Sequence, residues 1–356
     1  MQVEFLWHRH MRYPKALRRR VLAAMAPATI TTEEIARLNA DVGDAFARAA
    51  VNAIAAAPKS QRPELIGLAG QTICHLPSDR SKRTVTFQLG QAAPVVAATG
   101  VTTVDGFRQS DVAVGGEGAP LVPWTDYVLF RSNTQTRMIQ NIGGIANVTC
   151  IPAGGAVEDV IAFDNGPGNM IIDAVVSRAT KGRETFDRNG RRATRGKVLA
   201  PVLRDWLKHP YLKRKPPKST GRELFGEPFV RAKWSTLLRA SSEPNDWIAT
   251  ATAFTAQSIA LSYKRFLGNA IERSPFDLVV CGGGARNKTL LTWLADALPS
   301  ANIEPMDALG IPSQSKEAIS FALLAAACVD RCPANLPQVT RATRPAVLGA
   351  VSCPPT

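Results

Sequence analysis

Apolar residues follow two different spacings along this chain, and each change from one to the other marks an element. Val3 to Met11 alternates apolar and polar positions and reads as a strand. After Pro14, a basic stretch through Met25 takes helical spacing. Thr31, with Glu34 three residues on, has the form of a capping box and opens the long Ala-rich helix IARLNADVGDAFARAAVNAIAAA. Leu65 to Ala69 is a short buried strand ending in a glycine turn, and Val85 to Leu89 is another strand. A helix from about Ala92 and a strand at Val101 to Val104 follow.

Beyond Pro123 the pattern changes to hairpins. Arg137 to Ile142, Gly143-Gly144 and Ile145 to Thr149 read as strand, tight turn, strand. Asp159 to Phe163 is one more strand, and a helix is predicted near Lys197 to Lys208. Another helix begins at Asp246 and runs to about Leu267, closed by Gly268. Phe276 to Cys281 is a buried strand, and Gly282-Gly283-Gly284 leads from it into a helix starting near Asn287. Strands alternating with helices and interrupted by hairpins predict α/β lobes with mixed sheets.

Composition narrows this reading without overturning it. At roughly 150 residues per domain, a chain of this length divides into two. The longest apolar stretches, such as Phe321 to Val329, are far too short to span a bilayer, and no secretory signal opens the chain. Cys74, Cys150, Cys281, Cys328, Cys332 and Cys353 form no CxxC pair, which predicts reduced thiols and a cytoplasmic location. The four histidines are too dispersed to build a metal site.

Charge is the unusual quantity. The net charge is +14, and between Lys181 and Arg222 stand 14 basic residues against Glu184, Asp187 and Asp205. Such a block suits nucleic-acid phosphates, a small anionic ligand or a solvated surface. It carries no zinc-finger, RRM or KH pattern, so nucleic acid is the least favoured of the three.

Several segments carry candidate chemistry. Gly143-Gly144 and Gly282-Gly283-Gly284 are turns able to cradle phosphate oxygens, though a Gly-Gly hairpin is often only a turn. No GxGxxG or P-loop spacing is present. Asp164 ends a buried strand and is followed by the rigid turn Gly166-Pro167-Gly168. It is placed either to act as a general base or to cap the next helix. Arg108 and Asp111, beside the glycine-rich run Gly115 to Gly118, suit recognition of a carboxylate or hydroxyls, or form an incidental surface pair.

Together these segments resemble the anhydro-N-acetylmuramic acid kinases, sugar kinases of the actin, Hsp70 and hexokinase superfamily. The resemblance runs through GQTICHLP (70–77), GFRQSDVAVGGEGAPLVP (106–123), NIGGIANVT (141–149), FDNGPGNMIID (163–173) and FDRNG (186–190). It continues in PPKSTGRELF (216–225), CGGGARN (281–287), GIPSQSKEAISFALLA (310–325) and PANLPQVT (333–340).

The resemblance implies an α/β, two-lobed actin-like ATPase (ribonuclease H-like) fold with mixed sheets flanked by helices. Its lobes are expected at 1–124, completed by 345–356, and at 125–344. It implies phosphorylation of O6 of 1,6-anhydro-N-acetylmuramic acid by ATP with Mg²⁺, while water opens the anhydro bridge. The product is N-acetylmuramic acid 6-phosphate, in peptidoglycan recycling.

Residue by residue, Asp164 matches the catalytic base. Asn141, Gly143, Gly144 and Asn147 match a second phosphate loop; Gly166, Gly168, Gly282, Gly283 and Gly284 lie with the nucleotide. Thr72, Arg108, Asp111 and Glu317 match the sugar side. No resident metal ligand is implied. The basic block, with Lys218 and Arg222, is expected to face sugar and nucleotide in part. A small anhydro sugar and ATP are the implied partners, without nucleic acid or membrane, and with a hint of a homodimer.

The family opens with a strand carrying Gly-Thr-Ser-x-Asp-Gly, whereas Met1 is expected to fall within the third strand. The first lobe is therefore expected to be incomplete at its start, and this chain to be impaired in turnover. A start recorded too late, an inactive sugar- or nucleotide-binding paralogue, and a kinase for another anhydro sugar such as levoglucosan all accord with that expectation. Arg341 stands where the family usually has glycine.

Overall fold

The computed structural model describes residues 3–25, 29–78, 83–271 and 275–354. Its strands are β1 (Leu65–Gly67), β2 (Gln71–Leu76), β3 (Val85–Leu89), β4 (Thr102–Asp105), β5 (Arg137–Ile142), β6 (Ile145–Ile151), β7 (Ile161–Pro167), β8 (Phe276–Cys281), β9 (Ala301–Pro305) and β10 (Ala350–Ser352). The architecture is α/β, with mixed sheets flanked by helices. Two compact units emerge: Met1–Val128 with Ser315–Thr356, and Leu129–Gln314. Among the described residues no helix is long and apolar enough to cross a membrane.

In the first unit β4 lies between β1, parallel to it, and β10, antiparallel. Helix Lys316–Val329 covers this sheet, burying Phe321 and Leu324 against Val104, Phe107 and Leu348. The rings of Phe107 and Phe321 meet edge to face at 5.4 Å. The first turn of that helix is fixed by a buried ion pair, Lys316 Nζ to Asp126 at 2.9 Å, and by Thr125 Oγ1 donating to Ser320 Oγ at 2.8 Å. The hairpin β2–β3 packs against helices Lys15–Met25 and Thr32–Ala56 through Leu17, Val21, Leu38, Val42 and Leu89. As the sequence signature predicts, Thr31 Oγ1 accepts from the Glu34 amide at 3.1 Å and starts the second of these helices.

Two expectations differ from the structure. Val3 to Met11 alternates like a strand but lies outside regular structure. A strand needs a neighbour for its amides and carbonyls, and no described residue pairs with this segment. Residues 315–344, grouped by motif order with the second lobe, belong to the first unit. The cause is local packing: Phe321 and Leu324 complete the core around Val104, while Asn335 and Thr340 bond Asp111.

The second unit is built on one five-stranded sheet in the order β7-β6-β5-β8-β9. The β7–β6 and β6–β5 pairs are antiparallel, while β5–β8 and β8–β9 are parallel. One face packs on helices Pro244–Phe266 and Lys288–Ala297 through Met138, Val148, Phe163, Ile259, Leu278 and Leu290. An aromatic cluster around Trp206, Phe225, Phe229 and Phe254 forms a neighbouring core.

Arg341 adopts φ +62°, in the left-handed region, at the C-cap of the short helix Pro337–Thr340. Its guanidinium lies 3.7 Å from Glu117. Arg341→Gly and Arg341→Ala both remove that contact, but only glycine takes this backbone conformation without steric cost. The glycine variant is expected to exceed the alanine variant in stability by about 1 kcal/mol. Equal chemical-denaturation midpoints for the two variants would show that the backbone here is unstrained.

Candidate active site

The sheet register places three of the sequence candidates in one row. Asp164 of β7 pairs with Asn147 of β6, Asn147 with Asn141 of β5, and Asn141 with Cys281 of β8. Directly opposed residues share a face, so these polar side chains stand side by side across four strands. Cys281 Sγ lies 3.9 Å from Asn141 Oδ1.

Asn165 is an extra residue in this register. Gly166 pairs with Ala146 and Asp164 with Asn147, leaving Asn165 as a bulge. Bulges re-aim side chains, and here the bulged one is anchored in the interior. Gln140 Nε2 donates to Asn165 Oδ1 at 3.0 Å, Asn165 Nδ2 to Ser262 Oγ at 2.8 Å, and Tyr263 Oη to Gln140 Oε1 at 2.9 Å. All four side chains are buried. A fully paired buried network of this kind holds one geometry.

Asp164 is gripped on three sides. Its amide donates to the Lys218 carbonyl at 3.1 Å, and its carbonyl accepts from Tyr211 Oη at 2.9 Å. Its Oδ2 accepts from the Thr220 amide at 2.9 Å, while Oδ1 takes no hydrogen bond from the described residues. Burial pushes its carboxyl up to about 6; the Thr220 amide and Lys218 oppose that rise.

Lys218, expected with the basic block to face sugar and nucleotide in part, is packed among aromatic rings. Its side chain is buried, with Nζ 4.6 Å from the Tyr211 ring centre, 4.7 Å from that of Phe266 and 5.5 Å from that of Phe163. Desolvation lowers its ammonium to about 8. The caged cation fixes the loop whose backbone holds Asp164. Elsewhere in the block Arg192 is paired with Glu184, so part of the excess charge is neutralised locally.

The glycine turns divide by what they touch. The Gly143 carbonyl accepts from the Asn169 amide at 2.7 Å, and the Gly144 carbonyl from the amides of Gly168 and Met170, each at 3.1 Å. The hairpin therefore caps helix Asn169–Ala179, and those first amides are not open to an anion. Gly166 and Gly168 are buried beside this contact. Gly282, at φ +81°, and Gly284 let the next turn lie against Ile142, where a side chain at either would collide. Gly283 is exposed and lines a cavity of about 400 Å³ with Asn169, Asp173, Arg188, Arg286 and Asn287. Spacing alone did not reveal this cavity, although FDRNG supplies Arg188.

In the first unit Glu317 lies near Arg108, Thr72 is linked through Gln88 and Gln109 to the helix that carries Arg108, and Asp111 on that helix is bonded within the scaffold. Asp111 is fully buried: Oδ1 accepts from Asn335 and Thr340, and Oδ2 from the Gly118 amide, all at 2.8 Å. Both oxygens of this residue, expected on the sugar side, are bonded within the scaffold.

Arg108 Nη1 donates to the Gly118 carbonyl at 2.9 Å, but its buried Nε has no partner. Burial lowers its guanidinium, and the nearby carboxylate of exposed Glu317 raises it. Thr72 Oγ1 accepts from Gln88 Nε2 at 3.1 Å, and Gln109 Nε2 donates to Gln88 Oε1 at 2.9 Å. Gln88 and Gln109 thus extend the polar set. Neither was singled out from the sequence, because a strand and a helix bring them together.

A profile of the anhydro-N-acetylmuramic acid kinase family matches residues 1–354. The anhydro-N-acetylmuramic acid kinase of Caldanaerobacter subterraneus subsp. tengcongensis is 41% identical over 356 residues, covering 99% of this chain and 89% of that protein. That of Gloeobacter violaceus is 43% identical over 340 residues, covering 95% and 88%. Among solved structures, the activator of the 2-hydroxyisocaproyl-CoA dehydratase from Clostridium difficile with bound ADPNP gives a TM-score of 0.38 at 16% identity, over 68% of this chain and 84% of that one. With a profile matching almost end to end and relatives near 40% identity, the chain belongs to the anhydro-N-acetylmuramic acid kinase family.

Proposed function

We propose that this kinase phosphorylates O6 of 1,6-anhydro-N-acetylmuramic acid and opens its anhydro ring with water, giving N-acetylmuramic acid 6-phosphate for peptidoglycan recycling. The observation that carries the reading is Asp164, a carboxyl raised to about 6, held through Oδ2 and left unpaired at Oδ1. A base near neutrality with one oxygen spare is suited to take a proton from water as that water attacks the anomeric carbon. The bridging oxygen that leaves that carbon is O6 itself, so the bond broken by water frees the oxygen that accepts the phosphoryl group. Asn141 and Asn147 stand beside Asp164 as neutral donors for developing negative charge. In the first unit the unpartnered Nε of Arg108 suits an acidic sugar.

The nucleotide fits the second unit's turns. The Gly143 and Gly144 amides donate to no described residue, and Gly283 opens on the cavity. Among the described residues no three His, Cys, Asp or Glu side chains converge. Mg²⁺ would come with the nucleotide's phosphates, a setting in which it keeps several waters and needs few protein ligands. Bound together, they supply the phosphoryl group and shield its charge.

The deciding assay supplies the full chain with ATP, Mg²⁺ and the anhydro sugar and follows ADP with the product's mass. A product gaining both one water and one phosphoryl group supports the reading. Tight binding of sugar and nucleotide without turnover would instead favour a binding protein.

Asp164→Asn is expected to lower kcat by about a hundredfold or more while sugar affinity changes less than about threefold. Wild-type kcat/KM is expected to fall as pH drops through about 6, where Asp164 becomes protonated and loses its capacity as a base. A pH-independent rate across that range would remove Asp164 from the role.

Stability runs the other way. A carboxyl raised on folding stabilises the fold when protonated, and that contribution is lost as pH rises through about 6. Asp164→Asn is therefore expected to melt above wild type near pH 8, with the gap closing near pH 4. The gap is bounded at about 3 kcal/mol.

A further inference from the structure

Two carboxylates line the cavity beside Gly283, and their situations differ. Asp187 is buried and fully occupied, its Oδ1 accepting from the Arg192 amide at 2.9 Å and its Oδ2 from the Ala193 amide at 3.0 Å. It caps the short helix Arg191–Arg195. Asp173, on helix Asn169–Ala179, is half-buried and makes no hydrogen bond or ion pair with the described residues. Burial alone pushes its carboxyl up to about 6, with no amide or cation offsetting it. A carboxylate partly withdrawn from water without a donor is disfavoured. In a cavity open to a ligand, it is complementary to a donor that the ligand brings.

The position of Asp173 selects that donor. Asn169 begins the helix beside the Gly143-Gly144 hairpin and adjoins Gly283, the turn to which the nucleotide reading assigns the phosphates. Asp173 follows Asn169 by four residues, so it lies on the same helix face about 6 Å further along. Phosphates are anionic acceptors, and a carboxylate repels them. Moving away from the phosphates of a nucleotide, the first donors met are the ribose hydroxyls, and the amine of the base lies beyond them.

We propose that Asp173 accepts the ribose 2′- and 3′-hydroxyls of the nucleotide and makes this kinase selective for ribonucleotides. The inference rests on the nucleotide half of the kinase reading, and specifies which group of the nucleotide this cavity recognises.

Calorimetric binding to the full chain with Mg²⁺ tests it without requiring turnover. The probes are ADP, 2′,3′-dideoxy-ADP and inosine diphosphate, against wild type, Asp173→Ala and Asp173→Asn. Wild type is expected to bind ADP at least about tenfold more tightly than the dideoxy compound, as charge-assisted hydrogen bonds imply. Asp173→Ala is expected to bring ADP down to the dideoxy affinity while leaving the dideoxy affinity within about twofold. Asp173→Asn, which keeps one acceptor, is expected to fall between. Inosine diphosphate is expected to track ADP in every variant.

Equal wild-type affinities for ADP and dideoxy-ADP overturn the proposal, whatever the variants do. So does an Asp173→Ala variant that keeps the tenfold preference, or one that instead erases a preference for ADP over inosine diphosphate. If no nucleotide binds at all, the kinase reading falls first and takes this proposal with it. ADP binding without ribose discrimination leaves the kinase reading intact and removes only the role of Asp173.

Discussion

The arrangement of the second unit depends on the register of one sheet at one level. Cys281, Asn141, Asn147 and Asp164 face each other across four strands because β8, β5, β6 and β7 pair without a slip between the first three and with a single bulge at the fourth. A one-residue slip in any pair would send its polar residue to the opposite face. What holds the register is not on the candidate face. Tyr263, Gln140, Asn165 and Ser262 form a continuous chain of hydrogen bonds in the interior, and Asn165 is the residue next to Asp164. The bulge is thereby tied to the helix behind it.

Placing carboxylates in such surroundings works against stability. Asp164 and Asp173 are both raised to about 6 by burial, one with partial compensation from an amide and the other with none. Structural carboxylates in the same chain are treated differently. Asp111 and Asp187 have both oxygens bonded. Hydrogen bonding separates the two pairs: Asp111 and Asp187 bond the scaffold through each oxygen, whereas Asp164 bonds it through Oδ2 alone and Asp173 through neither, among the described residues.

Much of this was legible in the chain because the signals are local. The β5–β6 hairpin, the Thr31 cap, the strand carrying Asp164 and the turn after β8 each rest on neighbouring residues, and the structure has them within a few positions. What escaped was non-local. Lys218 reads as one more cation in a basic run, and only the fold surrounds it with Phe163, Tyr211 and Phe266. Asp111 reads as a binding residue because its partners Asn335 and Thr340 stand more than two hundred positions away. Linear order likewise hid the return of helix Lys316–Val329 to the first unit. The alternation at Val3 to Met11 is a true pattern without a pairing partner among the described residues.

That return of the chain has a bearing on synthesis. The second unit is contiguous and has all its strands once Gln314 has emerged, so it can fold on its own while translation continues. The first unit cannot. Its strand β4 waits for β10, its core for Phe321 and Leu348, and Asp111 for Asn335 and Thr340. The half that is made first is finished last, and until the ribosome delivers residues 315–352 its exposed β4 edge and apolar face are the nascent chain's point of exposure to chaperones and to misassembly.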